Sequence, residues 1–203
     1  VIREKVTLEA VDEEVRVRLG GEVQAFDAVV LSSGAWVKEL IEPLGYYVDV
    51  RPQKGQLIEL TLETTEDTSK WPVCMLHGEI DILPFPDGKI LVGATHENTQ
   101  GFDLVPDEEL LNGMYEEACA SLPSLKNAKR SGVRVGTRAY TSDFLPFFGE
   151  VPNTTNAFVA SGLGSSGLTS GVWIGECLSR MAAGEEVGFS VEKYTPQNYV
   201  RKV

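Results

Sequence analysis

The sequence predicts an α+β protein with an α/β part, on three observations. Alternating apolar and polar residues recur through residues 5–24 and again through the middle of the chain, the period of antiparallel strands with one covered face. Two short continuous apolar runs, "AVVL" at 28–31 and "AFVA" at 157–160, each pass through serine and glycine into a helical pattern, as a buried strand feeding a helix does. Between them lies a long amphipathic helix pattern after Asp107.

In chain order, "KVTLEAVDEEVRVRLGGEVQAF" reads as a three-stranded meander, with Val15, Val17 and Leu19 alternating against Arg16 and Arg18 and a Gly20-Gly21 hairpin turn. "FDAVVLSSGAW" reads as a strand buried on both faces, and "WVKELIEPLG" as a helix through Val37, Leu40 and Ile41 that Pro43 ends. "RPQKGQLIELTLE" is a strand, and Thr64 to Lys70 a polar loop. Pro86-Asp87-Gly88 is the turn of a hairpin between two alternating runs. Asp107 caps a helix carrying Leu110, Leu111, Met114, Tyr115 and Ala118 on one face, stopping before Pro123. "SGVRVGTRAYT" alternates again and "DFLPFFGEVPN" is turn-rich. A final helix carries Leu168, Val172, Cys177, Leu178 and Met181. No internal repeat is present.

Composition narrows the function classes. The 203 residues are 42% hydrophobic and 24% charged, enough to bury a core. With 18 Lys+Arg against 30 Asp+Glu the formal charge is -12, which disfavours nucleic acid and anionic membranes as partners. No apolar run approaches the roughly 20 residues of a membrane span, and a cytoplasmic location is expected. Cys74, Cys119 and Cys177 are widely spaced and read as small core residues. His77 and His96 lack metal-ligand spacing, so no metal is expected. No serine occupies the centre of a G-x-S-x-G. The chain opens on Val1 and is expected to be part of a longer one.

"ASGLGSSGLTSG" contains a literal G-x-G-x-x-G at Gly162, Gly164 and Gly167, between a strand and a helix. A dinucleotide-binding unit would need further parallel strands after the helix, and too little chain follows. What remains is either a tight strand-to-helix turn or a ligand site at a helix start whose first N–H groups are unpaired and partly positive.

"FDAVVLSSGAWVKEL", "RPQKGQLIEL", "DILPFPDGKILVGATHE", "GVRVGTRAYTSDFLPFFGEVPNTTNAFVASGLGSSGLTSG" and the final helix occur in one order, from about Gly20 to Val191. Together they resemble the C-terminal two-thirds of the flavin-dependent D-amino acid oxidase family, in particular its glycine oxidase and sarcosine oxidase-like members. The resemblance implies an antiparallel-sheet substrate domain joined to the C-terminal portion of an FAD-binding Rossmann-like domain. Residues 1–45 would form part of the FAD domain, 46–148 the substrate domain, and 149–203 the return to the FAD domain.

The implied activity is oxidation of a small amino acid or secondary amine by hydride transfer to flavin, with oxygen or another acceptor restoring it. The N-terminal pyrophosphate loop of the family is not in this sequence, so the chain by itself is expected to be inactive and to retain little of its noncovalent FAD. Ser33, Gly34 and Trp36 would lie near the cofactor, although a packed strand–helix turn accounts for Trp36 equally well. Gly162, Leu163, Gly164, Ser165, Ser166, Gly167, Leu168 and Thr169 would face the flavin ring. Arg138, in "GTRAYTSDFLPFFG", corresponds to the arginine that grips the substrate carboxylate, a task for a planar bidentate donor; Ala139 replaces the usual proline. Asp81 stands where many relatives carry a pocket tyrosine, and is either a pocket residue or a solvent-facing acid on a hairpin. The alternatives are a related flavin dehydrogenase, quinone-linked or acting on a glycerol 3-phosphate-like substrate, and a catalytically inert substrate-domain fragment.

Overall fold

The computed structural model describes residues 3–78 and 80–203. In chain order the elements are strands β1 (Thr7–Val11), β2 (Glu14–Leu19), β3 (Glu22–Gln24) and β4 (Val29–Leu31), helix α1 (Val37–Ile41), and strands β5 (Tyr46–Val48), β6 (Arg51–Thr61), β7 (Cys74–Met75), β8 (Asp81–Pro84) and β9 (Lys89–Gly93). Helix α2 (Glu108–Ser121), strands β10 (Lys129–Tyr140), β11 (Phe147–Glu150) and β12 (Ala157–Ser161), helix α3 (Gly167–Ala182) and strand β13 (Val200–Lys202) follow.

Two compact units divide the chain: residues 1–52 with 138–203, and residues 53–137. The units therefore change at Pro52/Gln53 and Thr137/Arg138 rather than at residues 45/46 and 148/149. Strand pairing explains the shift, because β5 pairs with β13 and β11 with β12. Residues 46–52 and 138–148 thereby pack with the chain termini.

In the terminal unit, β12 lies between β11, antiparallel, and β4, parallel. Its side chains alternate between two cores. Ala157 and Val159 join Leu31, Val37, Ile41 and Phe147 on one face, together with the meander residues Leu8 and Val15. Phe158 and Ala160 join Phe148 and the α3 residues Ile174, Cys177 and Leu178 on the other. The strand buried on both faces is thus β12, all of whose residues are buried. β4 differs from its expected burial, because it is the edge of its sheet and Val30 is exposed. Residues read as turn-rich contain β11, whose three consecutive buried residues escape an alternation test. Leu168 and Val172, expected on the packed face of the last helix, are 98% and 82% exposed. Successive residues on a helix step by about 100°, which puts both away from the face that carries Ile174, Cys177 and Leu178.

The middle unit is a five-stranded sheet of order β10-β6-β9-β8-β7. Ile58, Leu60, Ile82, Ile90 and Val92 alternate onto one face and meet Leu111, Met114 and Ala118 of α2. Asp107 caps α2 by accepting from the amides of Glu109 and Leu110 at 3.0 and 3.1 Å. Leu110, placed on the packed face by its spacing, is instead exposed. Cys119 and Cys177 are buried as expected, whereas Cys74 is half-buried. Among the described residues no helix is long and apolar enough to cross a membrane.

Candidate functional site

The parallel strands β4 and β12 lie side by side, in register from Val29 with Ala157 to Leu31 with Val159. Each runs into a 3-10 turn and then a helix, β4 through Gly34–Trp36 into α1 and β12 through Gly164–Ser166 into α3. Both turns therefore lie at the carboxyl ends of neighbouring strands, where open α/β sheets form their ligand crevices. Ser161 Oγ donates to the carbonyl oxygen of Gly34 at 2.8 Å and fastens one turn to the other. The family resemblance implies that both turns lie near one cofactor; in the fold they lie side by side.

The two turns are built for close approach. Gly34 and Gly164 have φ of +57° and +55°, and a side chain at either would project into open space. Gly162, at φ +75°, is held from behind, since a Cβ there would lie 2.8 Å from Thr141 Cγ2 and 3.0 Å from the carbonyl oxygen of Leu145. The start of α3 carries no side-chain cap and no acidic residue in its first turn. Its hydroxyls turn back on backbone carbonyls instead: Ser166 Oγ donates to Leu163 at 2.7 Å, and Thr169 Oγ1 and Ser170 Oγ donate to Ser166 at 2.8 and 2.9 Å. No side chain therefore caps the start of α3, the partly positive end of the helix dipole.

Ser165, Ser166, Leu168 and Thr169 are exposed and Leu163 and Gly167 half-buried. Ser33 Oγ is buried at the end of β4 and forms no hydrogen bond, an arrangement that natural interiors avoid unless a further partner binds. Trp36 is exposed and has an interaction partner. An orphaned hydroxyl, two open glycine turns and an uncapped helix start fit a large cofactor that binds through its edges and faces.

Arg138 lies near the end of β10, half-buried and engaged with a partner. Three residues later Thr141 packs against Gly162, so the strand carrying the guanidinium runs up to the glycine loop. Asp81 belongs to the middle unit. It sits on β8 opposite Gly93 and Met75 and alternates with Ile82, so it faces away from the α2 core.

Sequence reasoning missed the device that holds the turn after Arg138. Asp143 accepts from Thr141 Oγ1 at 2.9 Å, from the Leu145 amide at 3.1 Å and from Tyr199 Oη at 2.9 Å. Burial by itself would raise the Asp143 pKa, but these hydrogen bonds outweigh it and hold the carboxyl below its ordinary range. Burial, followed by the bond to Asp143, pushes the Tyr199 phenol up to about 12. Asp49 fixes the same segment from another side, accepting from the amide and the hydroxyl of Ser142. The local "TSD" pattern signals a side-chain-stabilised turn, but nothing local points to Tyr199, 56 residues away.

A family model described as DAO, FAD dependent oxidoreductase, matches residues 1–181. The uncharacterized oxidoreductase YurR of Bacillus subtilis is 39% identical over 175 residues, covering 85% of this chain and 46% of its own length. Glycine oxidase of Pseudomonas putida is 31% identical over 175 residues, covering 86% of this chain and 47% of its own. Among solved structures, iminodiacetate oxidase from Chelativorans sp. BNC1 superposes with a TM-score of 0.89 at 32% identity, covering 95% of this chain and 52% of that one. The chain thus spans about half the length of these relatives. It belongs to the DAO family of FAD-dependent oxidoreductases.

Proposed function

We propose that this chain supplies the flavin-ring face and the substrate-carboxylate anchor of an enzyme that oxidises a small amino acid or secondary amine. The observation that carries this reading is the junction of the two glycine turns with the segment that follows Arg138. Ser33, Gly34 and Trp36 line one side of the cofactor, and Gly162 to Thr169, at a helix start without a side-chain cap, face the ring. FAD, when bound, supplies the two-electron acceptor for oxidation of the carbon that bears the amine.

The chain's own residues orient and bind. Arg138 holds the substrate carboxylate by a charge-assisted, bidentate grip that fixes the amine-bearing carbon. Thr141, Asp143 and Tyr199 are positioning residues that hold the turn between Arg138 and the glycine loop. Glycine and iminodiacetate, after which two relatives are named, each carry an amine next to a carboxylate. That is the chemistry an arginine anchor selects.

The test uses the native gene product purified from its source with whatever polypeptide accompanies it. Glycine, sarcosine and iminodiacetate are offered, and oxygen uptake is compared with reduction of an artificial acceptor. Arg138→Ala should raise KM by about 100-fold, the loss of a bidentate ion pair of ~2.7 kcal/mol, with the flavin band near roughly 450 nm unchanged. Unchanged KM in that variant would remove the anchor from the reading. Acceptor reduction without oxygen uptake would instead mark a dehydrogenase.

A further inference from the structure

The middle unit contains a cavity that the proposed oxidation does not use. It measures about 630 Å³ and is lined by Gly78, Ile80, the 94–97 segment and one stripe of α2. The size suits a small organic ligand. Its floor is apolar, with Ile80 and Met114 almost fully buried and Leu110 beside them. Ile80 and Met114 belong to the core between the sheet and α2, so the cavity opens on the α2 side, the face opposite Asp81.

Around that floor stand carboxylates. Glu109, Gly113 and Glu117 recur at every fourth position of α2 and line the cavity. Gly113 forms a gap between the two acids, since a Cβ there would meet nothing within 4 Å. Among the described residues neither Glu109 nor Glu117 is held in an ion pair.

Glu97 adds an independent observation. Its side chain is only 10% exposed and lines the cavity. Oε1 accepts from Gln56 Nε2 at 2.7 Å and from Thr95 Oγ1 at 2.6 Å, whereas Oε2 is buried and accepts no hydrogen bond. The nearest cation, Lys54 Nζ, stands 3.8 Å from Oε2 and donates instead to the Val105 carbonyl and to Asp103. A buried carboxylate oxygen in this state carries an unmet need for a donor. Among the described residues no three His, Cys, Asp or Glu side chains converge closely enough to hold a metal ion. The acids are spread around an apolar floor rather than focused on a point.

We infer that this cavity binds an organic cation with an apolar body, of the primary alkylammonium class. The apolar part covers Ile80 and Met114, and the ammonium donates to the carboxylate rim formed by Glu97, Glu109 and Glu117. The site is separate from the proposed oxidation, so either can fail without the other.

Calorimetric titration of the 203-residue protein with hexylammonium, hexanoate and 1-hexanol tests the inference. Hexylammonium should bind saturably, with a dissociation constant of about 1 mM or tighter, and hexanoate should not bind. Gly113→Leu fills the gap with a better helix former and should abolish binding with the thermal midpoint kept or raised. Glu109→Gln with Glu117→Gln should weaken binding by about ten-fold or more, and decides the matter if the leucine variant does not fold. Absence of saturable hexylammonium binding would overturn the proposal. So would equal binding of hexanoate or hexanol, or undiminished binding by the folded variants.

Discussion

The two compact units treat their apolar residues differently. In the middle unit the apolar face of the sheet is matched by α2, and Ile58, Leu60, Ile90 and Leu111 are completely buried. In the terminal unit β12 is enclosed on both faces, yet β4 beside it keeps an open edge and α3 turns Leu168 and Val172 outward. The uncapped start of α3 and the orphaned Ser33 hydroxyl lie in that same unit. Among the described residues, the middle unit covers its apolar sheet face with its own helix, whereas the terminal unit leaves a strand edge and part of a helix face uncovered.

The sharpest way to break this contrast is a pair of truncations. Leu111→Ala, in the completed core, should cost about 2–5 kcal/mol in urea unfolding, whereas Leu168→Ala, 98% exposed, should stay within about 0.5 kcal/mol. Equal costs would mean that Leu168 is packed in solution. Next in size is Lys54→Met. Lys54 is 2% exposed, and losing it leaves the Glu97 carboxylate buried without its nearest cation, at a cost of about 3–5 kcal/mol.

Tyr199→Phe removes a hydrogen bond to a carboxylate in the terminal unit and should cost about 1.5–3 kcal/mol. The pH dependence has two signs. The Tyr199 pKa is raised, so its contribution is complete below the ordinary value of 10.0 and is lost as pH rises toward about 12. The Asp143 pKa is lowered, so its contribution is complete above the ordinary value of 3.8 and is lost as pH falls below it. Chemical unfolding across pH should therefore lose a basic limb in Tyr199→Phe and an acidic limb in Asp143→Asn. A smaller loss than that of Tyr199→Phe is expected for Gly164→Ala, whose strain at φ +55° is worth about 1–2 kcal/mol. The same methyl group would stand in the proposed path of the ring.

Local rules were enough for much of this architecture. The meander, the Asp107 cap and the Pro86-Asp87-Gly88 hairpin follow from spacing and turn chemistry, because each is decided within a few residues. The failures share a cause. Val30, Leu110, Leu168 and Val172 satisfy an apolar pattern, but burial depends on whether a neighbouring element reaches them, which no local window contains. The candidate site divides in the same way. Glycines at 34, 162 and 164 were legible, whereas the bonds from Tyr199 to Asp143 and from Ser161 to Gly34 join residues 56 and 127 positions apart. Asp81 was legible only as a position in a resemblance, and it lies in the other unit from the glycine turns.

The central claim is that the turns after β4 and β12 form one cofactor face. Amide resonances of the 203-residue chain, followed during titration with FAD to millimolar concentration, test it even where binding is too weak to survive purification. The account predicts shifts at Ser33 to Trp36 together with Gly162 to Thr169, and their loss in Gly164→Val. Shifts confined to the middle unit, or none at either turn, would contradict it.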